Sequence, residues 1–351
     1  MPLTRSYQRG LVVGKFSPLH RGHHYLLQYA AERCDELVVI SYSNPEYPGC
    51  EAGRRARWLA DLFPAAVRLV IDPARPKALN ALPEGLQTIP PNDAEESRHR
   101  LFTGALCTHL LGCTVDAVFT SEAYGDGFAA ELTRWFARFD PRAAMVRHVL
   151  VDRERNHVPV SGTLVRQDIH AWRQWLSPLV YASFVHRVCL LGGESSGKST
   201  LAQALAHHFG TEFVAEYGRE LWERRKGELH FEDMLPIAEE QIRREEQAAR
   251  RATRYLFCDT SPLTTYFYSH HLFGQADPQL ECLAERFYDL VVLCEPDFPF
   301  IQDGTRQPSS FRNRQHDWYV QALTTMQIDF ISVGGAVEKR VAIVADALRD
   351  Q

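Results

Sequence analysis

Short apolar runs alternate with longer amphipathic segments twice along this chain, and that alternation narrows its possible folds more than any other feature. "GLVVGKF", "ELVVISYS", "AVRLVI" and "AVFTSE" are short and rich in Val, Ile or Phe, and the pattern starts afresh at "HRVCLLGG" to continue through "TEFVAEY", "YLFCDTS", "DLVVLCEP" and "DFISVGG". Strands alternating with helices imply βαβ units around a parallel sheet, because parallel neighbours need a crossover long enough to hold a helix. The expectation is an α/β protein of two doubly wound parallel-sheet domains. Between the two series lies "QDIHAWRQWLSPLVYASFV", aromatic and helical with Pro178 as punctuation. It puts the boundary near residue 180, giving domains 1–180 and 181–351. The length of 351 residues suits two domains of roughly 150 residues each.

Composition excludes several classes. Hydrophobic residues make up 45% of the chain, enough for two ordinary cores. No apolar run approaches the roughly 20 residues that cross a bilayer, and "MPLTRSYQRG" lacks the apolar centre of a signal peptide, so a cytoplasmic location without a membrane partner is expected. The eight cysteines (34, 50, 107, 113, 189, 258, 282, 294) form no CxxC pair and read as reduced thiols. A net charge of −5 argues against a general nucleic-acid surface, and sign-alternating stretches such as "QIRREEQAARRATR" read as solvated helix faces.

The most specific local pattern is "LLGGESSGKST". It joins an apolar strand to the helix "STLAQALAHHF" and spaces Gly192, Gly197, Lys198 and Ser199 as a phosphate-binding loop does. Backbone N–H groups from Gly192, Gly193, Glu194, Ser195, Ser196, Gly197 and Thr200 can curl around phosphate oxygens at the positive end of the helix. Lys198 neutralises the β and γ phosphates, and the Ser199 hydroxyl ligates Mg²⁺. ATP is the co-substrate this predicts.

Further parts of a phosphotransfer site belong at the carboxyl ends of later strands. "TEFVAEYGRE" supplies Glu216, Tyr217 and Arg219, and "YLFCDTSPLTT" supplies Asp259. Either carboxylate could hold Mg²⁺ through water or take a proton from a substrate hydroxyl, and Asp259 could instead cap the next helix. The turn-rich "QDGTRQPSSFRNRQHDWYVQAL", with Asp303, Gly304, Arg306, Arg312 and Arg314, suits a mobile lid over the transferring phosphate.

In the first half, "GKFSPLHRGH" sets His20 and His23 three residues apart at the start of a helix, where both rings can face one spot above the sheet edge. Phosphate or metal could sit there. Phosphate is preferred, because a helix N-terminus, Lys15 and two imidazoles concentrate positive potential, while Gly14 and Gly22 permit close backbone approach.

The HxGH stretch from His20 to His23, with "VSGTLVR" (Ser161, Gly162, Thr163, Arg166) opening a later helix, resembles the nucleotidyltransferase superfamily, which joins a nucleoside triphosphate to a phosphate or carboxyl acceptor and releases pyrophosphate. Followed by a phosphate-loop kinase domain, it is similar to the NadR-type bifunctional enzymes, in which nicotinamide mononucleotide adenylyltransferase is fused to ribosylnicotinamide kinase. The resemblance covers nearly the whole chain through "GKFSPLHRGH", "SEAYG", "VDRERNHVPVSGT", the phosphate loop and "AEYGRELWE".

It implies that His20 and His23 hold ATP phosphates with His23 nearest the reacting one, that Gly14, Lys15 and Phe16 lie against the nucleotide, and that Ser161, Thr163 and Arg166 grip the outer phosphates. Ser121, Glu122 and Tyr124, and in the second domain Tyr217, Arg219 and Trp222, become candidates for the nicotinamide substrates, with Trp135 a further stacking candidate. The implied small-molecule partners are ATP, ribosylnicotinamide, nicotinamide mononucleotide and NAD; a homo-oligomer stays open. Some relatives carry an N-terminal helix-turn-helix, for which the early first strand leaves no room. Two alternatives stay in view: the same chemistry on another phosphorylated acceptor, and a binding module that senses adenine nucleotides or NAD.

Overall fold

The computed structural model describes residues 5–122, 124–297 and 309–349, and the chain divides into two compact units, Met1–Ser183 and Phe184–Gln351. The division falls slightly beyond the boundary expected from sequence, because the Pro178–Tyr181 helix packs with the first unit, where Ser183 Oγ accepts the indole N–H of Trp58 (2.7 Å).

In the first unit the strands are β1 (Tyr7–Gly14), β2 (Cys34–Ser41), β3 (Val67–Val70), β4 (Ala117–Thr120) and β5 (Arg147–Leu150), all parallel in the order β3-β2-β1-β4-β5. The chain winds outward from β1 through β3, then returns to lay β4 on the other side of β1. That reversal opens a crevice at the carboxyl ends of β1 and β4, where ligands gather in open α/β sheets. Val38, Ile40, Phe102, Leu132 and Phe136 fill one face of the sheet with fully buried side chains. Strand β5, "RHVL", was missed in the sequence because an edge strand with two polar residues in four carries no apolar run.

The second unit repeats the plan with a different winding. Strands β6 (His186–Leu191), β7 (Phe213–Val214), β8 (Tyr255–Asp259), β9 (Leu290–Cys294) and β10 (Phe330–Val333) pair in parallel as β10-β9-β6-β8-β7. Central β6, β8 and β9 are buried along almost their whole length, which explains their unbroken Val, Leu, Phe and Cys runs. The eight cysteines are all unpaired. Among the described residues, no helix is long and apolar enough to cross a membrane.

Candidate functional sites in the two units

At the crevice of the first unit, β1 ends at Gly14 and the chain turns through Phe16, fully buried at φ 48°, into the helix Arg21–Ala31. His20 caps that helix. Its Nδ1 accepts the backbone N–H of His23 (3.3 Å), and the two imidazoles stack with centroids 3.7 Å apart, 15° from parallel. With Nδ1 used as an acceptor, the proton of a neutral His20 ring sits on Nε2 and can be donated. Burial, reinforced by its neighbour His23 and by Arg155 and Arg166, holds the His20 pKa down at about 2; burial foremost holds His23 at about 4. The rings are therefore neutral donors. This corrects the sequence-based picture in which the imidazoles supplied positive charge; that charge comes from Lys15, Arg155 and Arg166, which line the same cavity of ≈ 540 Å³.

The second wall is the turn that starts the Gly162–Gln167 helix, capped by Ser161 Oγ accepting from the Leu164 N–H (3.2 Å). Arg166 crosses back to donate to the carbonyl of Ser17 (2.5 Å) and to Thr163 Oγ1 (3.1 Å), with its guanidinium over the Tyr47 ring at 4.1 Å. Glycine at position 162 leaves room for Arg166: a Cβ there would lie 2.9 Å from Arg166 Nη1, 3.4 Å from the Ser17 carbonyl and 3.8 Å from His20 Nε2, so the guanidinium would have to shift. The absent side chain lets Arg166 reach the Ser17 carbonyl across this point. Gly14, Lys15, Phe16, His20, His23, Ser161, Thr163, Arg166, Ser121, Glu122 and Tyr124 all line the one cavity. Trp135 does not; it is core, donating to Thr108 Oγ1 at 3.2 Å.

Two arginines there escaped the sequence reading. Arg155 lines the cavity from a left-handed backbone (φ 53°), beside Asp152, whose carboxylate accepts the N–H groups of His157 and Val158. Arg55, fully buried, bonds Ser41 Oγ (2.7 Å), Glu46 (2.5 Å) and the Lys15 carbonyl (3.5 Å), fixing the chain around Lys15. A lone arginine on the apolar face of "AGRRARWLADL" was the available signal.

In the second unit the loop after β6 wraps the N-terminus of the helix Lys198–Phe209. Lys198 Nζ donates to the carbonyls of Gly192 (2.9 Å) and Gly193 (3.1 Å). A Cβ on Gly193 would lie 2.4 Å from the Arg312 carbonyl, so glycine there admits the helix Ser309–Thr325, whose Gln315 Oε1 accepts the Glu194 backbone N–H (2.9 Å). Tyr268 donates to Glu194 Oε1 (2.8 Å). Glu216 and Asp259 stand together near Lys198, and burial, followed for Glu216 by repulsion from Asp259, raises both pKa values.

Mg²⁺ suits this donor set: Asp259 is 2% exposed, its Oδ1 has no hydrogen-bond partner among the described residues, and the nearby Ser199 hydroxyl opposes the effect of burial on its carboxylate. Helix capping falls instead to Ser261, which accepts from Leu263 N–H.

Beside the loop is a cavity of ≈ 140 Å³ lined by Glu194, Glu216, Arg219 and Trp222 with Leu229, Met234 and Ile237. Tyr217 is not among its lining residues; its ring packs against the Met234–Ile237 cluster under the Arg244 guanidinium, 4.4 Å away. The arginine-rich segment also departs from expectation. From Ser309 it is helix rather than loop, with Arg314 exposed on it, while Asp303, Gly304 and Arg306 lie outside the described residues. Helical spacing explains the change, since Phe311, Gln315 and Tyr319, all buried, make one face.

The chain is similar to known proteins along nearly its whole length. Residues 187–340 match the family model described as an AAA domain. The trifunctional NAD biosynthesis/regulator proteins NadR of Salmonella typhimurium and Escherichia coli are each 28% identical to the chain, over 342 and 347 residues, 92% of this chain and 78% of theirs. A nicotinamide-nucleotide adenylyltransferase of Methanospirillum hungatei is 32% identical over 85 residues, 24% of this chain and 42% of that one. A crystal structure of a NadR protein in complex with NR superposes with a TM-score of 0.69 at 20% identity, covering 99% of this chain and 96% of that one. Another, in complex with NAD and AMP-PNP, gives 0.67 at 18%, covering 100% and 98%. The chain is thus similar to the NadR proteins in sequence and in fold along both of its α/β units.

Proposed function

We propose that the chain is a bifunctional enzyme of NAD biosynthesis: the second unit phosphorylates ribosylnicotinamide with ATP to the mononucleotide, and the first adenylylates that mononucleotide to NAD, releasing pyrophosphate. One observation supports this: each unit has a cavity of its own, the first lined by His20, His23, Gly162 and Arg166, the second by Glu194, Glu216 and Trp222 beside the loop that Lys198 closes.

In the first unit, the acceptor phosphate attacks the α-phosphate of ATP in line. His20 Nε2–H and the neutral His23 ring donate to oxygens where charge develops, while Arg166, Arg155 and Lys15 offset the charge of the departing pyrophosphate. No covalent intermediate is needed. Ser121, Glu122 and Tyr124, which line the same cavity, would contact the nicotinamide mononucleotide.

In the second unit, Lys198 exchanges its two loop carbonyls for the β and γ phosphates. Glu216 lines the cavity and Asp259 does not, so Glu216 takes the proton of the attacking primary hydroxyl, its raised pKa suiting a base, while Ser199 and Asp259 hold Mg²⁺. Bound there, Mg²⁺ supplies charge neutralisation on the polyphosphate. Trp222 offers a face for the cationic ring, and Arg219 pairs with Glu216 at 3.7 Å.

The test incubates the purified chain with MgATP and ribosylnicotinamide and follows mononucleotide, NAD, ADP and pyrophosphate by chromatography. Appearance of all four supports the assignment. ATP binding without turnover makes the chain a nucleotide sensor, and turnover only with another phosphorylated acceptor changes the substrate.

A further inference from the structure

Among the described residues, the lining of the kinase cavity holds one buried side-chain donor without a hydrogen-bond partner. Gln241 lines the cavity at 3% exposure, on the helix Phe231–Ala249, where Met234, Ile237 and Gln241 follow one another on the same face. Its Oε1 accepts the backbone N–H of Tyr217 (2.9 Å), while its Nε2 is buried without a hydrogen-bond partner. The Tyr217 N–H can only donate, so the amide orientation is fixed: oxygen toward Tyr217, NH₂ elsewhere. Buried amide donors are nearly always paired, and an exception in the wall of a cavity points to a partner supplied by the ligand. The same glutamine also anchors the residue after Glu216, so it sits beside the proposed base.

We infer that Gln241 is a specificity-determining residue of the kinase unit, whose Nε2 donates a hydrogen bond to an acceptor oxygen of the nucleoside held between Glu216 and Trp222. This rests on the kinase assignment above. Two oxygens of ribosylnicotinamide have the right chemistry, a ribose hydroxyl and the carboxamide carbonyl. Either would give the site what Leu229, Met234 and Ile237 cannot, a penalty against ligands lacking that oxygen, because the buried N–H would then stay unpaired.

The decisive variants are Gln241→Glu, which keeps an oxygen for the Tyr217 N–H and exchanges the donor for an acceptor, and Gln241→Met, which keeps length without charge. In the full chain, both should raise the KM for ribosylnicotinamide about tenfold or more, equivalent to about 1.4 kcal/mol. The KM for ATP and adenylylation of supplied mononucleotide should hold, which also shows that the variants fold. Substrates lacking the 2′- or 3′-hydroxyl, and a pyridinium riboside lacking the carboxamide, identify the partner: the analogue without the bonded oxygen loses affinity with wild type and loses little more with Gln241→Glu. Unchanged KM in both variants, or penalties that simply add for every analogue, overturn the inference. Absence of phosphorylation by wild type would overturn the kinase assignment and this inference with it, whereas wild-type turnover indifferent to Gln241 overturns this inference alone.

Discussion

His20 and His23 are joined twice, by the N–H of His23 donating to His20 Nδ1 (3.3 Å) and by the stacking of their rings at 3.7 Å. The first contact fixes which nitrogen of His20 can donate, and the second holds the two rings face to face in the cavity wall. A pair of neutral imidazoles therefore faces the cavity proposed to hold polyphosphate.

A pH dependence of stability follows. Both groups have folded pKa values below the ordinary 6.5, about 2 and about 4, so below pH 6.5 the unfolded chain binds more protons than the folded one, and stability falls as pH drops from 6.5 toward 4. Above 6.5 the contribution is complete. Denaturant unfolding from pH 8 to 5 should show this slope in the wild type and a flatter one in His23→Ala; equal slopes would mean that His23 is not held neutral by the fold.

The two activities should separate. Lys198→Ala removes the ammonium that meets the β and γ phosphates, so phosphorylation of ribosylnicotinamide should fall about a hundredfold or more while adenylylation survives. His23→Ala should do the reverse. A mixture of the two proteins should again make NAD from ribosylnicotinamide through released mononucleotide. Loss of both half-reactions in a folded Lys198→Ala protein refutes two independent sites.

Gly162→Ala tests the reach of Arg166 to the Ser17 carbonyl. A methyl 2.9 Å from Arg166 Nη1 must move that guanidinium off the Ser17 carbonyl. Adenylylation should drop by roughly ten- to a hundredfold with kinase activity intact, since small misplacements of charge-bearing groups are costly. Wild-type rates from this variant would show that Arg166 has room to spare.

The roles proposed for Glu216 and Asp259 can be told apart by measurement. Asp259→Asn should raise the Mg²⁺ concentration needed for half-maximal phosphorylation, whereas Glu216→Gln should lower kcat by about a hundredfold at saturating Mg²⁺. Removal of Mg²⁺ should stop both reactions, and a zinc-selective chelator should stop neither. If the two variants respond alike to added Mg²⁺, the division of roles is wrong.

Much of this was legible in sequence because the signals were local. The strand, loop and helix around Lys198 and the turn from Gly14 to His23 are contiguous, and their spacing alone states their geometry. What escaped was built from distant parts: Arg55 reaching the Lys15 carbonyl, Gln315 meeting Glu194, and Gln241 meeting Tyr217. Aromatic residues were ambiguous for a different reason. Trp135 and Trp222 differ in surroundings and not in any local pattern, so only packing tells a core ring from a cavity wall. The segment after Ser309 was read as loop from its polar residues, although Phe311, Gln315 and Tyr319 already fell at helical spacing.

The bond between Gln315 and the Glu194 N–H spans 121 residues. On the ribosome, where synthesis runs from the N-terminus, the phosphate loop is made long before the helix that completes it, and its final shape waits for residue 315 to leave the exit tunnel. The first unit, which closes on itself by Ser183, has no such wait. A nascent chain can thus complete the cavity around His20 and His23 while the loop around Lys198 still waits for its closing contact.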